Sequence, residues 1–309
     1  MSHVHPHGGR GSLADTLNAR RSDTRRRLWI ALAINVVMLV AEAIGGLITG
    51  SLALLADAGH VLSDVGAIGL GLVAGGLASL PGGPRRTFGY QRTEVIAALV
   101  NGIALVVIAV LVAVAAIDRL DDAPEVAGVG VLALGVFGLA GNVAATWILA
   151  RGERQDVNLE GVLRHSVADA LGSVGVIVSG TVILATGWDA IDPLVSLVIA
   201  ALILASSVRL IAEPVNVLME AAPAGMDAEA IAREMCELDH VLAVHDLHVW
   251  TVTAGFEALS AHVVLGADAD RDLVRRRLEV MLRERHGIEH TTLQMEEEAP
   301  PELLDVEGS

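Results

Sequence analysis

The sequence predicts a membrane all-α domain, a six-helix transmembrane bundle, followed by a C-terminal α+β domain of ferredoxin-like type. Composition is the first reason: 53% of the 309 residues are hydrophobic and the mean hydropathy is strongly positive, which exceeds the apolar share of soluble domains. Six apolar segments are each long enough to cross a hydrocarbon core of about 30 Å. After residue 213 these runs give way to alternating and amphipathic patterns, which are typical of a small soluble domain.

The short links between the apolar segments predict which spans are neighbours. The spans are expected at 28–49, 52–79, 94–117, 126–150, 162–186 and 189–212. Residues 49–51 join span one to span two, and residues 186–188 join span five to span six. Each pair should therefore form a tight helical hairpin. Glycine and serine are dense in spans two and five, and small side chains let helix backbones approach closely. We therefore expect spans two and five to be direct neighbours.

Arginines predict the orientation of the bundle. They precede span one, separate spans two and three and spans four and five, and end span six (Arg20, Arg21, Arg25, Arg26, Arg27, Arg85, Arg86, Arg92, Arg151, Arg154, Arg164 and Arg209). The opposite links hold only Arg119, so the positive-inside rule places both termini in the cytoplasm. The charged first 27 residues lack an apolar core, and we interpret them as a cytosolic tail rather than a signal peptide. Short loops favour a bacterial inner membrane.

The chain is expected to have four parts. These are a cytosolic His/Arg-rich N-terminal tail (1–27), the transmembrane domain (28–212), a cytoplasmic α+β domain (213–298) and a flexible acidic tail (299–309). From residue 213 onward there are 21 acidic residues against 7 arginines, and the whole chain has a net charge of −16. No basic face is available to neutralise phosphates, which argues against nucleic acid as a partner. Cys236 is the only cysteine, which excludes disulfides within the chain and thiolate zinc clusters.

The pattern after residue 213 predicts five elements of secondary structure. We expect a helix at 227–238, strands at 243–253 and 257–265, a helix at 270–286 and a strand at 289–296. Gly255 marks the turn between the first two strands. This order favours helices on one side of a small sheet. A domain of this size holds one modest core, and pairing with a second copy would help to stabilise it.

Two five-residue strings inside the apolar segments predict a metal site. The first runs from His60 to Asp64 in span two, and the second from His165 to Asp169 in span five. Four residues along a helix amount to about 6 Å of rise and a small rotation, so each string places an imidazole and a carboxylate on one face. Two such faces supply two nitrogens and two oxygens, enough for tetrahedral Zn²⁺. Because ionisable groups in a membrane are costly, a functional site is the first hypothesis.

Two further acids in the spans leave alternatives open. Asp57 lies three residues before His60, on nearly the same helical face. It is either an additional metal ligand or outer-shell partner, or a polar residue that faces water at the end of its span. Glu42 and Asn35 share one face of span one. They form interhelical hydrogen bonds or, in the case of Glu42, take part in a proton relay.

Histidines are dense in the soluble part. Six occur within about fifty residues (His240, His245, His248, His262, His286 and His290). On strands, His245 and His262 would point off the sheet toward a shared cation, with Glu296, Gln294 or Asp246 nearby; the alternative is that most are surface or hydrogen-bonding histidines. The N-terminal His3, His5 and His7 either capture metal loosely or belong to a disordered end.

Four motifs resemble the cation diffusion facilitator family. They are ADAGHVLSDVGAIGL in span two, FGYQRTEVIAALVNGI at the start of span three, HSVADALGSVGVIVSG in span five, and VHDLHVWTV followed by LSAHVVL in the soluble part. The resemblance covers residues 28–296. It implies a homodimeric exporter, not an enzyme, that moves Zn²⁺ and related divalent ions out of the cytoplasm in exchange for protons.

The resemblance also assigns roles to residues. It implies a transport site at His60, Asp64, His165 and Asp169, and a metallochaperone-like cytoplasmic domain whose metal sites map onto His245 and His262. Some family members have His and Asp where this chain has Gln294 and Glu296.

The ligand types bear on the ion and on its coupling. Two imidazoles and two carboxylates favour Zn²⁺ first, with Co²⁺, Cd²⁺ or Ni²⁺ as further substrates. Histidine ordinarily titrates near about pH 6.5 and binds metal only when neutral, so protons and Zn²⁺ compete for the same atoms. We therefore expect proton-coupled antiport. The alternatives are an uncoupled divalent-cation channel and a membrane metal sensor. An intramembrane metalloprotease typically carries an HExxH string, and none occurs here.

Overall fold

The computed structural model describes residues 10–78, 80–150 and 159–297, and the side chains of residues 29–78, 80–148 and 169–297. The chain packs into two compact units. The first comprises Met1–Leu72 and Val100–Ile211, and the second comprises Val73–Leu99 and Ala212–Ser309.

Six long helices confirm the predicted spans. They are α1 (Arg10–Thr49), α2 (Leu52–Ala78), α3 (Thr93–Asp118), α4 (Gly128–Ala150), α5 (Leu159–Thr186) and α6 (Ile191–Leu218). Among the described residues, each contains a stretch long and apolar enough to cross a membrane. Two bounds differ from expectation by more than three residues. Helix α1 begins well before the apolar span, and α6 continues through Pro214 to Leu218 although a proline removes one backbone hydrogen bond.

The core of the first unit contains alanines among larger valine, leucine and isoleucine side chains. Residues with almost no exposed surface include Ala53, Ala56, Ala109, Ala116 and Ala200. Both predicted hairpins are close-packed: a Cβ at Gly46 of α1 would lie 2.8 Å from Leu55 of α2, and one at Gly175 of α5 would lie 3.2 Å from Val195 of α6. Small residues therefore set the distance between these helices.

The soluble part of the second unit has the five predicted elements. They are α7 (Ala228–Cys236), β1 (Val241–Thr253), β2 (Phe256–Leu265), α8 (Arg271–His286) and β3 (His290–Glu297). The sheet order is β1-β2-β3, with β1 and β2 antiparallel and β2 and β3 parallel. Asp227 and Asp270 cap the starts of the two helices, as short acidic side chains commonly do. The α+β prediction is thereby confirmed.

Buried side chains of α7, α8, β1 and β2 form the core of this part, and partly buried Leu293 and Met295 of β3 pack against it. Fully buried members include Ile231 and Met235 on α7, Leu278 and Leu282 on α8, and Leu259 on β2. Strand β1 is three residues longer than β2 and carries irregularities in register. At one of them His245 pairs with His262 and His248 pairs with Ser260, so one extra residue on β1 bulges out of the ladder.

Candidate metal centre

The centre of the first unit brings α2 and α5 together through ionisable side chains. His60 Nε2 lies 2.8 Å from Asp169 Oδ1, and each of these side chains is 12% exposed. Asp64 completes the group: one ligand atom from each of the three residues lies within 4.8 Å of the others. This arrangement presents one imidazole nitrogen and two carboxylates to a common point, which suits a divalent cation.

His165 is the fourth sequence-predicted ligand. Its backbone belongs to α5, one turn before Asp169, which places it on the same helical face. Its side chain lies outside the described residues.

Asp57 is buried beside this cluster but is not among its three grouped residues. Its side chain is 1% exposed, so the interpretation that it faces water at the end of the span is wrong. Its Oδ2 accepts a hydrogen bond from Ser173 Oγ on α5 at 3.1 Å, and a Cβ at Gly172 would lie 2.6 Å from its Oδ1. Burial follows from the close approach of α2 and α5 at this glycine.

Asn142 of α4 is a polar contact that sequence reasoning missed. Its Nδ2 donates to Ser173 Oγ at 3.2 Å and to the backbone carbonyl of Asp169 at 3.4 Å. It therefore links Ser173, the donor to Asp57, with the backbone of a predicted ligand. A lone asparagine in an apolar span carries no spacing signal, so only the packing of α4 against α5 reveals this role.

Glu42 of α1 is also completely buried. Among the described residues neither of its carboxyl oxygens has a hydrogen-bond partner, so the predicted interhelical hydrogen bonds of Glu42 are not found there. A Cβ at Gly138 of α4 would lie 2.4 Å from Glu42 Oε1 and 3.4 Å from Ser173 Oγ. Glu42 thus lies next to the Asn142 and Ser173 contacts.

The soluble part contains a second group of side chains of the types that ligate metals. His245, His262 and Glu296 each place one ligand atom within 4.8 Å of the others. Glu296 lies 3.0 Å from His245 and 2.8 Å from His262 through its two oxygens. Gln294 Nε2 donates to Glu296 Oε1 at 2.8 Å. These hydrogen bonds, foremost the one from His245, lower the pKa of Glu296, which favours the carboxylate form that metals require.

The other histidines of the soluble part have different contacts. His248 lies 3.0 Å from Asp246, and His286 lies 3.1 Å from Glu234. His290 packs edge-on against Phe88 and Phe256. The interpretation as surface or hydrogen-bonding histidines therefore holds for these three, since His248 and His286 are hydrogen-bonded and His290 is exposed. His3, His5 and His7 lie outside the described residues.

Two family comparisons cover nearly all of the described chain. Residues 28–219 match the cation efflux transmembrane domain, and residues 223–298 match the cytoplasmic domain of cation efflux proteins. This chain belongs to the cation efflux family. As a member of that family it is an integral membrane protein for metal efflux and not an enzyme.

Relatives of this cation efflux protein align over most of their length. A cadmium, cobalt and zinc/H⁺-K⁺ antiporter of Bacillus velezensis is 36% identical over 301 residues, which are 96% of this chain and 92% of the relative. The zinc transporter ZitB of Escherichia coli K12 is 38% identical over 298 residues, 96% of this chain and 93% of the relative. A solved metal-bound C-terminal domain of the CzcD transporter is 30% identical with a TM-score of 0.22, and it covers 23% of this chain and 99% of that domain.

Proposed function

We propose that this chain is a proton-coupled antiporter that exports Zn²⁺ from the cytoplasm, with Co²⁺, Cd²⁺ or Ni²⁺ as further substrates. His60, Asp64, His165 and Asp169 hold the ion between α2 and α5. The observation that carries this proposal is the convergence of His60, Asp64 and Asp169 within 4.8 Å, although His60 and Asp169 are 109 positions apart in sequence. The names of the Escherichia coli and Bacillus relatives, which include zinc and protons, support it.

Proton coupling follows from the chemistry of the ligands. The hydrogen bond between His60 Nε2 and Asp169 Oδ1 joins two atoms that would bind the ion. Metal binding requires an imidazole lone pair and deprotonated carboxylates, so Zn²⁺ entry releases protons and proton entry releases Zn²⁺. At the near-neutral cytosolic side the metal displaces protons, and a higher proton activity on the other side reverses the exchange.

The proposed setting is a bacterial inner membrane with both termini in the cytoplasm, because arginines cluster on the links of one side.

We also propose that His245, His262 and Glu296 bind a regulatory metal ion in the cytoplasmic domain. The chain is proposed to act as a homodimer, since a small α+β domain gains stability from pairing with a second copy. The four-part division of the chain at residues 27, 212 and 298 belongs to the same proposal.

Zinc uptake by everted membrane vesicles tests the transport proposal. In such vesicles export becomes uptake, so an acidic interior should accelerate Zn²⁺ accumulation by the wild-type protein. Asp169→Ala should reduce uptake to the level of empty vesicles because it removes one of the ligands. Asp121→Ala is the matched control, since Asp121 is an exposed acid on the link after α3, and it should transport as the wild type does.

The same assay separates the alternatives. Fast, non-saturating flux that ignores an imposed pH gradient contradicts antiport and favours a channel. A response to a K⁺ gradient alone would replace protons by K⁺ as the coupling ion, which the name of the Bacillus relative includes. Cells with His60→Ala that remain as zinc-resistant as the wild type would favour a sensor.

Equilibrium dialysis of the purified full-length protein tests the cytoplasmic site. We expect His262→Ala to bind one Zn²⁺ fewer per chain than the wild type, while the control His286→Ala binds as many. An unchanged zinc content in His262→Ala rejects this part of the proposal.

A further inference from the structure

A carboxylate remote from the metal cluster joins the two helices that carry it. Asp192 lies in the first turn of α6 and has no exposed surface. Its Oδ2 accepts hydrogen bonds from the backbone N–H groups of Leu52 at 2.6 Å and Ala53 at 3.4 Å. Its Oδ1 accepts from the hydroxyls of Ser51 at 2.6 Å and Ser179 at 3.3 Å. One side chain therefore connects the start of α2, the later part of α5 and the start of α6.

Two of these hydrogen bonds satisfy the backbone N–H groups of Leu52 and Ala53, which have no acceptor within α2. The first N–H groups of a helix lack intrahelical acceptors, and the helix dipole favours negative charge at that end. Ser51 Oγ caps α2 locally by accepting from Leu54 N at 3.1 Å, and Asp192 adds a second cap from another helix. Ser51, Ser179 and Asp192 are all completely buried, so loss of the carboxylate leaves buried donors unsatisfied.

This carboxylate lies roughly two to three helical turns from the metal cluster along both helices. His60 follows Leu52 by eight residues, about 12 Å along α2, and Asp169 precedes Ser179 by ten residues, about 15 Å along α5. Shifting the register of either helix by one residue would move its ligand by about 1.5 Å along the helix axis and rotate it by about 100° around that axis. Metal–ligand distances tolerate only about 0.2 Å. The alignment of α2 with α5 therefore decides whether the ligands can share one ion.

We propose that Asp192 is a positioning residue that sets the axial alignment of α2 and α5 and thereby the affinity and coordination geometry of the transport site. It acts through the two helices and not by contact with the ion. The proposal rests on the proposed function, because it takes His60, Asp64, His165 and Asp169 as the transport site.

Asp192→Asn tests this proposal. The amide keeps the shape of the side chain but has a single oxygen, so it cannot accept from both the α2 N–H groups and the serine hydroxyls. Co²⁺ alone is the probe, because its visible absorption distinguishes tetrahedral from higher coordination. In purified full-length protein that also carries His262→Ala, we expect the Kd for Co²⁺ to rise about tenfold and the tetrahedral absorption to weaken.

Leu105→Ala is the matched control for loss of stability alone. Leu105 lies in the core on α3 and is 1% exposed, and it takes no part in the Asp192 hydrogen bonds. Its truncation should lower the melting temperature but leave the Kd and the absorption spectrum of Co²⁺ unchanged. If Asp192→Asn does not fold, Ser179→Ala removes only the bond to α5, and we expect a smaller shift of the Kd in the same direction.

Two results overturn the proposal. The first is wild-type Co²⁺ affinity and spectrum in Asp192→Asn, or in Ser179→Ala if Asp192→Asn does not fold. The second is a change in Leu105→Ala as large as the change in Asp192→Asn. Failure of the proposed transport site is distinguishable from these. His60→Ala with wild-type Co²⁺ binding rejects the site itself and the alignment with it. If His60→Ala does not bind Co²⁺ while Asp192→Asn binds it as the wild type does, only the positioning role of Asp192 is rejected.

Discussion

Buried polar side chains around the transmembrane cluster form a connected set of hydrogen bonds. Asn142 donates to Ser173 and to the carbonyl of Asp169, and Ser173 donates to Asp57. Ser173 is completely buried, and among the described residues the other oxygen of Asp57 has no hydrogen-bond partner. Since unsatisfied buried groups are costly, the Ser173 hydroxyl holds the Asp57 carboxyl in place beside the cluster.

Ser173→Ala should therefore destabilise the protein. Removing the hydroxyl leaves Asp57 and Asn142 each without this partner, which should cost about 1–3 kcal/mol of unfolding free energy. Thermal unfolding of the purified protein measures the change. Thr181→Ala is the control on the same helix, because Thr181 is exposed and its hydroxyl, among the described residues, bonds only to the carbonyl of Ile177. Equal melting temperatures for Ser173→Ala and the wild type contradict the prediction.

Sequence reasoning identified the predicted ligands by their spacing, and it missed Asn142 and Asp192 because no spacing marks them. The interval of four residues between His60 and Asp64 is a helical signal that any α-helix converts into a shared face. Neither Asn142 nor Asp192 lies three or four residues from a histidine. Their partners come from other helices, and the approach of those helices follows from packing that no local pattern encodes.

The glycines of α5 and α2 show where small residues decide helix contacts. A Cβ at Gly180 of α5 would lie 2.6 Å from the backbone nitrogen of Leu132 on α4, a contact that no side-chain movement relieves. A Cβ at Gly69 or Gly71 of α2 would meet no atom of the described residues within 4 Å. The expectation that α2 and α5 are direct neighbours is confirmed at Gly172 and Asp57, but Gly69 and Gly71 do not make that contact among the described residues. Glycine content predicts that a helix can approach another closely, but not which glycines make the contact.

Gly180→Ala should separate α4 from α5 and cost at least about 1–3 kcal/mol, as overpacked cores do. Gly69→Ala is the matched control, and alanine there should leave stability unchanged or raise it slightly through helix propensity. Yield and melting temperature of the two variants, measured side by side, check this. The prediction fails if Gly180→Ala melts at the wild-type temperature.

Glu234 joins the two helices of the soluble part. Its Oε2 accepts from Arg285 at 3.3 Å and lies 3.1 Å from His286 Nε2, so α7 is tied to α8. These contacts, foremost the hydrogen bond from Arg285, lower the pKa of Glu234 below its ordinary 4.5. A carboxyl group with a lower pKa in the folded state stabilises that state at neutral pH, and this contribution disappears as the pH falls below 4.5 through the folded pKa.

Glu234→Gln should therefore lower the melting temperature slightly at pH 7, and the difference from the wild type should shrink toward zero as the solution is acidified. Glu229→Gln is the control on the same helix, because the Glu229 side chain is 90% exposed. It should melt with the wild type throughout the pH range. A Glu234→Gln difference that grows on acidification would reverse the assigned sign of the linkage.

On the scale of the whole molecule, segment length and composition were enough to predict the six helices and the α+β part. The end of α6 was harder to predict. Composition changes at Glu213-Pro214, yet α6 runs on to Leu218 with Pro214 inside it. A change in polarity marks where the surroundings of a chain change, and a helix continues across it as long as its backbone hydrogen bonds can form. Helix ends and solvent boundaries are therefore separate predictions.

Cys236 offers a direct test of the proposed orientation. It is the only cysteine in the chain and is exposed at the end of α7. A membrane-impermeant maleimide should label it in everted vesicles but not in intact cells, because the soluble part is proposed to face the cytoplasm. Asp121→Cys in a Cys236→Ser background is the converse control and should be labelled in intact cells. Labelling of Cys236 from outside intact cells would invert the topology.

The bulge in β1 bears on how the protein avoids self-association of its sheet. β1 is an edge of the three-stranded sheet, and a long exposed edge can act as a template for further strands. At the bulge the ladder is interrupted, and His245, Asp246 and His248 are exposed there. Irregular geometry and polar side chains both discourage edge-to-edge growth. We therefore expect the segment that positions a predicted metal ligand also to oppose fibril formation by the folded protein at high concentration.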